Sequence, residues 1–460
     1  MNTVPISGAI AEFAAALRYE DLPEALREFA RFHILDAVGV AIAATQTDFA
    51  RCALAGLVPL AQGGTSSLIG LPDKLGLRDA VLMNGILAHG LDYDDTHTGS
   101  QVHPTVNAFP CAMGLAEFLD TGGRELLTAY VLGGEIATRV GIAANGTMQA
   151  QGFHNTGVAG HLGCAVTAAK LYNLNADQIA HAQGLAGSMG SGISEYRIDG
   201  SWNKRMHPGW AGVGGISAAS LARGGYVGAS EVYEGKYGLF NTHAASGAEF
   251  NLGALTDQLG SAWRLQEAAI KPLPACHLLH ACVDSALALK REHNLMPDDI
   301  AEACALLHST TFRMVCEPVE LRKRPPSENI AQFSAQFVIA ACFVRGRFSF
   351  AELTPDARAD EEILALAQRV SYAEYPGSRF PQYLSGGVTV KMKDGRMLEH
   401  REDINRGNGE RALTNADTIA KFMENAELVL PRDRAERIRD LVLDFDRLPA
   451  RELARGLSAQ

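Results

Sequence analysis

From residue 5 to about residue 260 the chain repeats apolar side chains at helical spacing and offers no strand alternation of useful length. A period of 3.6 residues cannot be laid into a sheet without turning half of the apolar set to water, so this half must be helical. Pro23 and Glu24 open one such helix, with Leu26, Phe29, Ile34, Leu35, Val38 and Val40 apolar first at helical spacing and then all round, as in a buried helix. The stretches "LRDAVLMNGILAHG" and "GHLGCAVTAAKLYNL" are rich in alanine, glycine and leucine, so their helices can approach closely. The longest apolar run, from Ile34 to Ala44, is interrupted by Asp36 and is too short to cross a bilayer.

The pattern changes after about residue 265. "ACALLHST" after "MPDDI" alternates as a strand does, and "GGVTVKMKDGRMLEHRE" predicts a hairpin whose positive φ angles come from Asp394 and Gly395. Helical stretches, "HLLHACVDSALALKREHN" and "NIAQFSAQFVIAACF", lie between them. From Thr414 the tail is helical again, with "TNAD" as an N-terminal cap and "AERIRDLVLDFDRL" amphipathic. The expected architecture is mainly α. A large all-helical domain covers residues 1–265 and is completed by helices within 410–460; a smaller α+β domain covers 266–409.

The 460 residues exceed the size at which one hydrophobic core stops growing, which agrees with two domains. A net charge of −11 argues against a duplex nucleic acid or an anionic membrane as partner, since both require a basic face. The start, "MNTVPISGAIAEF", lacks the features of a secretory signal, so a cytoplasmic location is expected. Eight cysteines are scattered singly with no CxxC pair, which writes neither a zinc ribbon nor an iron–sulphur motif and leaves reduced, buried thiols as the expectation.

Polar chemistry concentrates in "HGLDYDDTHTGSQVHPT", residues 89–105. As a calcium loop starting at Asp92 it fails, because His97 stands where glycine is needed and His103 where glutamate is needed. Spacing alone leaves open a transition-metal site built from His97, His103 and an aspartate, although no HExxH pair is present. Three further loops downstream each offer basic groups: "QGFHNTGVAGH" with His154, "DGSWNKRMHPGWAG" with Lys204 and His207, and "AIKPLPACHLLH" with Lys271, His277 and His280. Histidine and lysine beside acids suit removal of a proton next to a carboxylate. That reaction needs a base near neutrality, a proton donor, and fixed cations for the substrate's carboxylates. The glycines of "GLAGSMGSG" follow a helical stretch and not a strand, so they are assigned to helix packing and not to dinucleotide binding.

In the same order along the chain, "HGLDYDDTH" with "HPT", "GFHNT", "DGSWNKRMHPG" with "AASLARGGYVG", "KPLPACHLLH" and "KRPPSENIAQFSAQF" resemble the MmgE/PrpD family. That family includes 2-methylcitrate dehydratase, cis-aconitate decarboxylase and iminodisuccinate epimerase. The resemblance implies a homodimer whose α+β domain acts as a lid over an active site, with a small di- or tricarboxylate as substrate and neither metal nor cofactor. It places active-site residues at Asp92, Thr96, His103, His154, Lys204 and Lys271. His103 and His154 are expected to form the acid/base pair. Lys204 and Lys271 are expected to hold carboxylates, Thr96, His207 and His277 to contact substrate, and Asp92 to orient a histidine. Asp94, Asp95 and His97 are expected to keep the loop in shape.

Two departures bear on the reaction. Cys276 stands where decarboxylase-type members carry a histidine, with His277 displaced by one, and "VELRKRP" lacks their tyrosine before the shared Arg-Pro. The expected activity is therefore a metal-independent hydro-lyase acting on a 2-methylcitrate-like or citrate-like acid. A dicarboxylate epimerase is the alternative, and a cis-aconitate-type decarboxylase a weaker one. A non-catalytic carboxylate-binding protein would differ by having no use for the paired histidines.

Overall fold

A computed structural model describes residues 4–61, 63–245 and 247–459. They form two compact units. One gathers Met1–Tyr196, Ser201–Ile270 and Thr414–Gln460, and the other Arg197–Gly200 and Lys271–Leu413.

The first unit is built from helices, with a two-residue antiparallel pair, β1 (Ser66–Ser67) and β2 (Lys74–Leu75), as its sheet. Pro23 caps the helix Glu24–Ala44, every residue of which from His33 to Ala44 is buried. Asp36 in its middle is 1% exposed and is paired with Lys421 Nζ at 2.6 Å. Burial of an acid in this apolar run is thereby offset by a cation from the C-terminal helix Asn415–Ala426. That helix begins with a reciprocal cap: Thr414 Oγ1 accepts from Asp417 N, and Asp417 Oδ2 accepts from Thr414 N.

Close approach of two helices sets the geometry needed below. Helix Leu77–His89 crosses helix Asn203–Arg223 at Gly85 and Gly209, where a Cβ on Gly85 would lie 2.4 Å from Gly209 Cα and one on Gly209 2.3 Å from the Leu82 carbonyl oxygen. Only glycine fits on either side, so the end of the first helix, His89, meets the first two turns of the second, which carry Lys204 and His207.

The helix Gly123–Ala144 is long and apolar enough to cross a membrane, but 94% of its most apolar window is buried inside the fold. It also carries a buried ion pair. Arg139 Nε donates to Glu135 Oε1 at 2.6 Å, and the guanidinium donates to the carbonyls of Ala254, Asp257 and Ala262, while Glu135 accepts from the amides of Arg264 and Leu265.

The second unit holds a four-stranded sheet in the order β4-β3-β5-β6, made of β3 (Ile300–Leu307), β4 (Val370–Glu374), β5 (Gly386–Met392) and β6 (Met397–Glu402). β3 runs parallel to β4 and antiparallel to β5, and β5–β6 is the expected hairpin. Its turn differs from expectation: Gly395 has φ +90° but Asp394 does not adopt a positive φ. Four residues separate the strands instead of two, so one glycine in the left-handed region closes the turn. "NIAQFSAQFVIAACF" is two helices, Glu328–Gln332 and Ala335–Arg345, because the Ser334 hydroxyl caps the second by accepting from Phe337 N. Six of the eight cysteines are buried; Cys52 is exposed and Cys304 half-buried.

Candidate active site

Asp92 ends the turn that follows helix Leu77–His89, with its amide bonded to the His89 carbonyl and φ at +50°. Such a conformation costs a non-glycine residue roughly 1 kcal/mol or more and persists only where the surroundings hold it. Here the strain directs successive side chains to different neighbours. The Asp92 carboxylate bonds the Lys204 ammonium. Asp94 meets two histidines: His89 Nδ1 lies 3.0 Å from both of its oxygens, and His103 Nδ1 2.9 Å from Oδ2. Asp95 turns away and accepts from Thr105 Oγ1 at 2.6 Å, with His33 Nδ1 at 2.8 Å.

The carboxylate expected to orient a histidine was that of Asp92. The carboxylate bonded to the histidines is that of Asp94, which had been assigned to loop shape, while Asp92 bonds Lys204. An ionised carboxylate only accepts, so the protons sit on Nδ1 of His89 and on Nδ1 of His103, and Nε2 of each ring faces away from the acid. His89 Nε2 is buried without a hydrogen-bond partner.

The other loops close around this pair. His103 sits just before the helix Thr105–Leu119, and its amide donates to Thr156 Oγ1 at 3.1 Å; Asn155 Nδ2 donates to the Ser100 carbonyl. These two bonds join "VHPT" to "FHNT". His154, at the start of the helix Asn155–Leu171, donates its backbone amide to the Gly192 carbonyl, and its Nδ1 lies 3.0 Å from His207 Nδ1. Gly192 has φ +128°, and a Cβ there would press on the His207 ring at 3.2 Å. The glycines of "GLAGSMGSG" thus serve packing, one of them against the site. Thr96 Oγ1 lies 3.3 Å from His103 Nδ1, and its backbone pairs with Ala269. His97 accepts from Ser100 N and meets Glu267 at 3.3 Å, which holds the loop.

Ring centroids show the convergence: His89 to His103 4.7 Å, His89 to His154 5.7 Å, His103 to His154 6.2 Å and His154 to His207 5.2 Å. Tyr196 lies against His154 and His207, at 5.9 and 6.0 Å. His89 and Tyr196 were not among the expected site residues. His89 stands inside the quoted motif, whereas "SEYRIDG" carries no signal for Tyr196.

Electrostatics separate these groups. Burial, aided by His207 and Lys204, holds His154 well below the usual histidine range. Burial and Lys204 lower His207 to about 4, and burial lowers His89 to about 4 against the pull of Asp94. Burial works to raise Asp94, but its two imidazole donors outweigh that and keep it well below the usual carboxylate range. Burial disfavours the Lys204 charge as well, and Asp92 outweighs it, so the ammonium is retained. The result is a neutral His154–His207 pair, an ionised Asp94 beneath His89 and His103, and a lysine cation beside them.

Two overlapping sets, His89 with His103 and His154, and His89 with Asp92, Asp94 and His103, bring one donor atom each within 4.8 Å of one another. Imidazole and carboxylate donors of this kind suit a transition-metal ion. A dication in the second set would have to displace the Lys204 ammonium from Asp92.

Lys271 and His277 belong to the second unit. Lys271 is 2% exposed, and His277 Nε2 lies 2.8 Å from Asn405 Nδ2, with the His280 ring at 4.7 Å. An amide nitrogen donates, so His277 accepts through Nε2 and carries its proton on Nδ1.

Comparison with known proteins agrees in extent and order with this arrangement. Residues 8–251 match the MmgE/PrpD N-terminal domain and 273–447 the MmgE/PrpD C-terminal domain. Among curated relatives, a cis-aconitate decarboxylase-like protein of Aspergillus oryzae is 25% identical over 96% of this chain and 94% of its own. Cis-aconitate decarboxylase of Aspergillus terreus is 25% identical over the same shares, and that of Homo sapiens 28% identical over 90% of this chain and 86% of its own. With both domain models matched across nearly the whole length, the chain belongs to the MmgE/PrpD family.

Proposed function

We propose that this chain is a lyase that removes water from a citrate-like or 2-methylcitrate-like polycarboxylate, starting with proton transfer at the carbon next to a carboxylate. One observation carries the reading: two histidines that converge on one place sit in opposite electrostatic settings. His154 is neutral and bonded to a neutral His207, which suits a base. His103 is backed by ionised Asp94, which gives a proton on its ring a counter-charge and suits the acid that protonates a leaving hydroxyl. Elimination of water needs both partners. The Lys204 ammonium supplies a cation for a substrate carboxylate, and an arriving anion would compete with Asp92 for it. Lys271, His277 and Thr96 are assigned to substrate binding.

Loss of carbon dioxide is the second reading, and a specific observation favours it: two of the relatives described above are named cis-aconitate decarboxylase and the third a cis-aconitate decarboxylase-like protein. Against it stand Cys276 and the missing tyrosine in "VELRKRP". Purified protein incubated with 2-methylcitrate, citrate and cis-aconitate separates the readings. Dehydration produces ultraviolet absorbance from a new conjugated double bond, decarboxylation releases carbon dioxide, and epimerisation gives neither while exchanging a carbon-bound proton with solvent. Turnover that is abolished by chelation and restored by one metal ion would replace the histidine mechanism with metal chemistry.

We infer a homodimer as well. Trp202, the N-cap of the helix Asn203–Arg223, and Met206 and Trp210 within it are 46, 40 and 46% exposed at four-residue spacing, with Phe49 and Ile86 beside Trp202 and Met206. Light scattering of the purified chain tests this, and a monomer at micromolar concentration would contradict it.

A further inference from the structure

We propose that Lys421, near the C-terminus, is a positioning residue for the active-site loop: anchored by Asp36, its ammonium holds the Tyr93 carbonyl and fixes the backbone between Asp92 and Asp94. The inference rests on the reading of the site given above.

Lys421 is 5% exposed. Its Nζ lies 2.7 Å from the Tyr93 carbonyl oxygen, 2.6 Å from Asp36 Oδ1 and 3.7 Å from the centroid of the Tyr93 ring. All three contacts bear on the loop or on the helix behind it. The side chains of residues 92 to 95 alternate in their contacts. The side chains of Asp92 and Asp94 bond Lys204, His89 and His103, whereas those of Tyr93 and Asp95 meet Lys421 and His33, and the Asp95 carbonyl lies 2.8 Å from His103 Nδ1. His33 and Asp36 are three residues apart, so one face of the helix Glu24–Ala44 supports the back of the loop at two points. An ion pair in a dry interior contributes little net stability, because the cost of removing both charges from water rivals their attraction. Holding a particular carbonyl, next to a residue at φ +50°, is a task that apolar packing cannot do. This also accounts for Asp36, the one acid in an otherwise apolar run.

The test compares Lys421→Met, Asp36→Asn and the double variant in the full chain. Lys421→Met strands a buried carboxylate and is expected to lower the unfolding temperature; removing both charges is expected to restore it. If the pair were merely structural, activity would return with stability. Positioning predicts otherwise. The double variant regains its unfolding temperature yet keeps kcat at least about ten-fold down with KM little changed, the factor of one charge-assisted hydrogen bond. Asp36→Asn, which keeps the donor to Tyr93, loses much less. Hydrogen exchange gives a readout that needs no substrate. The amides of Asp92, Thr96 and His97, bonded to the carbonyls of His89, Ala269 and Val102, should exchange at least about ten-fold faster in the double variant than in the wild type. Should no tested acid be turned over, the functional reading fails while the exchange still decides whether Lys421 holds the loop. A double variant with wild-type exchange, or with fast exchange and full kcat, overturns the proposal.

Discussion

Asp94→Asn preserves the shape of the side chain and removes the anion under two histidines. The carboxylate accepts from His89 Nδ1 at 3.0 Å and from His103 Nδ1 at 2.9 Å, with 0% of its surface exposed. A hydrogen bond to a charged group contributes roughly 1.5–3 kcal/mol, and the one to His103 acts on the barrier because the ring carries a proton during transfer. That range alone corresponds to roughly a ten- to hundred-fold loss in rate. An amide also presents an N–H in place of one accepting oxygen, and His89 Nδ1, 3.0 Å from both oxygens, then faces that N–H. Where such an N–H turns a histidine to the wrong tautomer, the loss is about 10⁴-fold. The expected result is a fall in kcat of about 10²- to 10⁴-fold, with KM changed by less than about five-fold, since Asp94 is assigned no contact with substrate carboxylates. Initial rates on the acid turned over by the wild type measure both, and circular dichroism checks that the variant is folded. If kcat stays within about three-fold while His103→Gln abolishes turnover, the role given to Asp94 is refuted.

Because burial holds His154 well below the usual range, its neutral form persists as pH falls through 6.5. The acidic limb of kcat/KM should therefore have its midpoint below 6.5, and a midpoint above 6.5 would contradict the assignment of His154 as base. Gly209→Ala places a Cβ 2.3 Å from the Leu82 carbonyl oxygen and pushes apart the helices that carry His89 and Lys204. It should destabilise the fold by about 1–3 kcal/mol in urea unfolding and lower activity as well. Glu135→Ala leaves the Arg139 guanidinium buried without its carboxylate and should cost about 3–5 kcal/mol, read as a shift in the urea midpoint.

Helices were legible where apolar period and capping chemistry agreed, as from Glu24 to Ala44 and from Thr414 onward. The strand Val370–Glu374 was not, because it is short and mostly exposed, so no alternation marks it. The break at Ser334 was hidden because one serine in an apolar stretch serves equally as a cap or as a helical residue. At the site, residue types and motif order pointed to His103, His154, Lys204 and Asp92. Spacing could not tell which of Asp92 and Asp94 meets the histidines, since the strained turn at Asp92 decides it. Lys421 was beyond the reach of any local pattern, because it bonds to a carbonyl 328 residues away.

His154 is assigned the carbon-bound proton next to a carboxylate, and His103 the proton given to the leaving hydroxyl. Hydration of cis-aconitate or its 2-methyl homologue in deuterium oxide, the reverse of the dehydration, followed by proton NMR of the hydrated product, measures this directly. The hydrated product is expected to carry deuterium at the carbon next to a carboxylate with the wild type, and no labelled product is expected with His154→Gln or His103→Gln. Hydrated product without deuterium at that carbon, or undiminished labelling by both variants, would contradict the assignment.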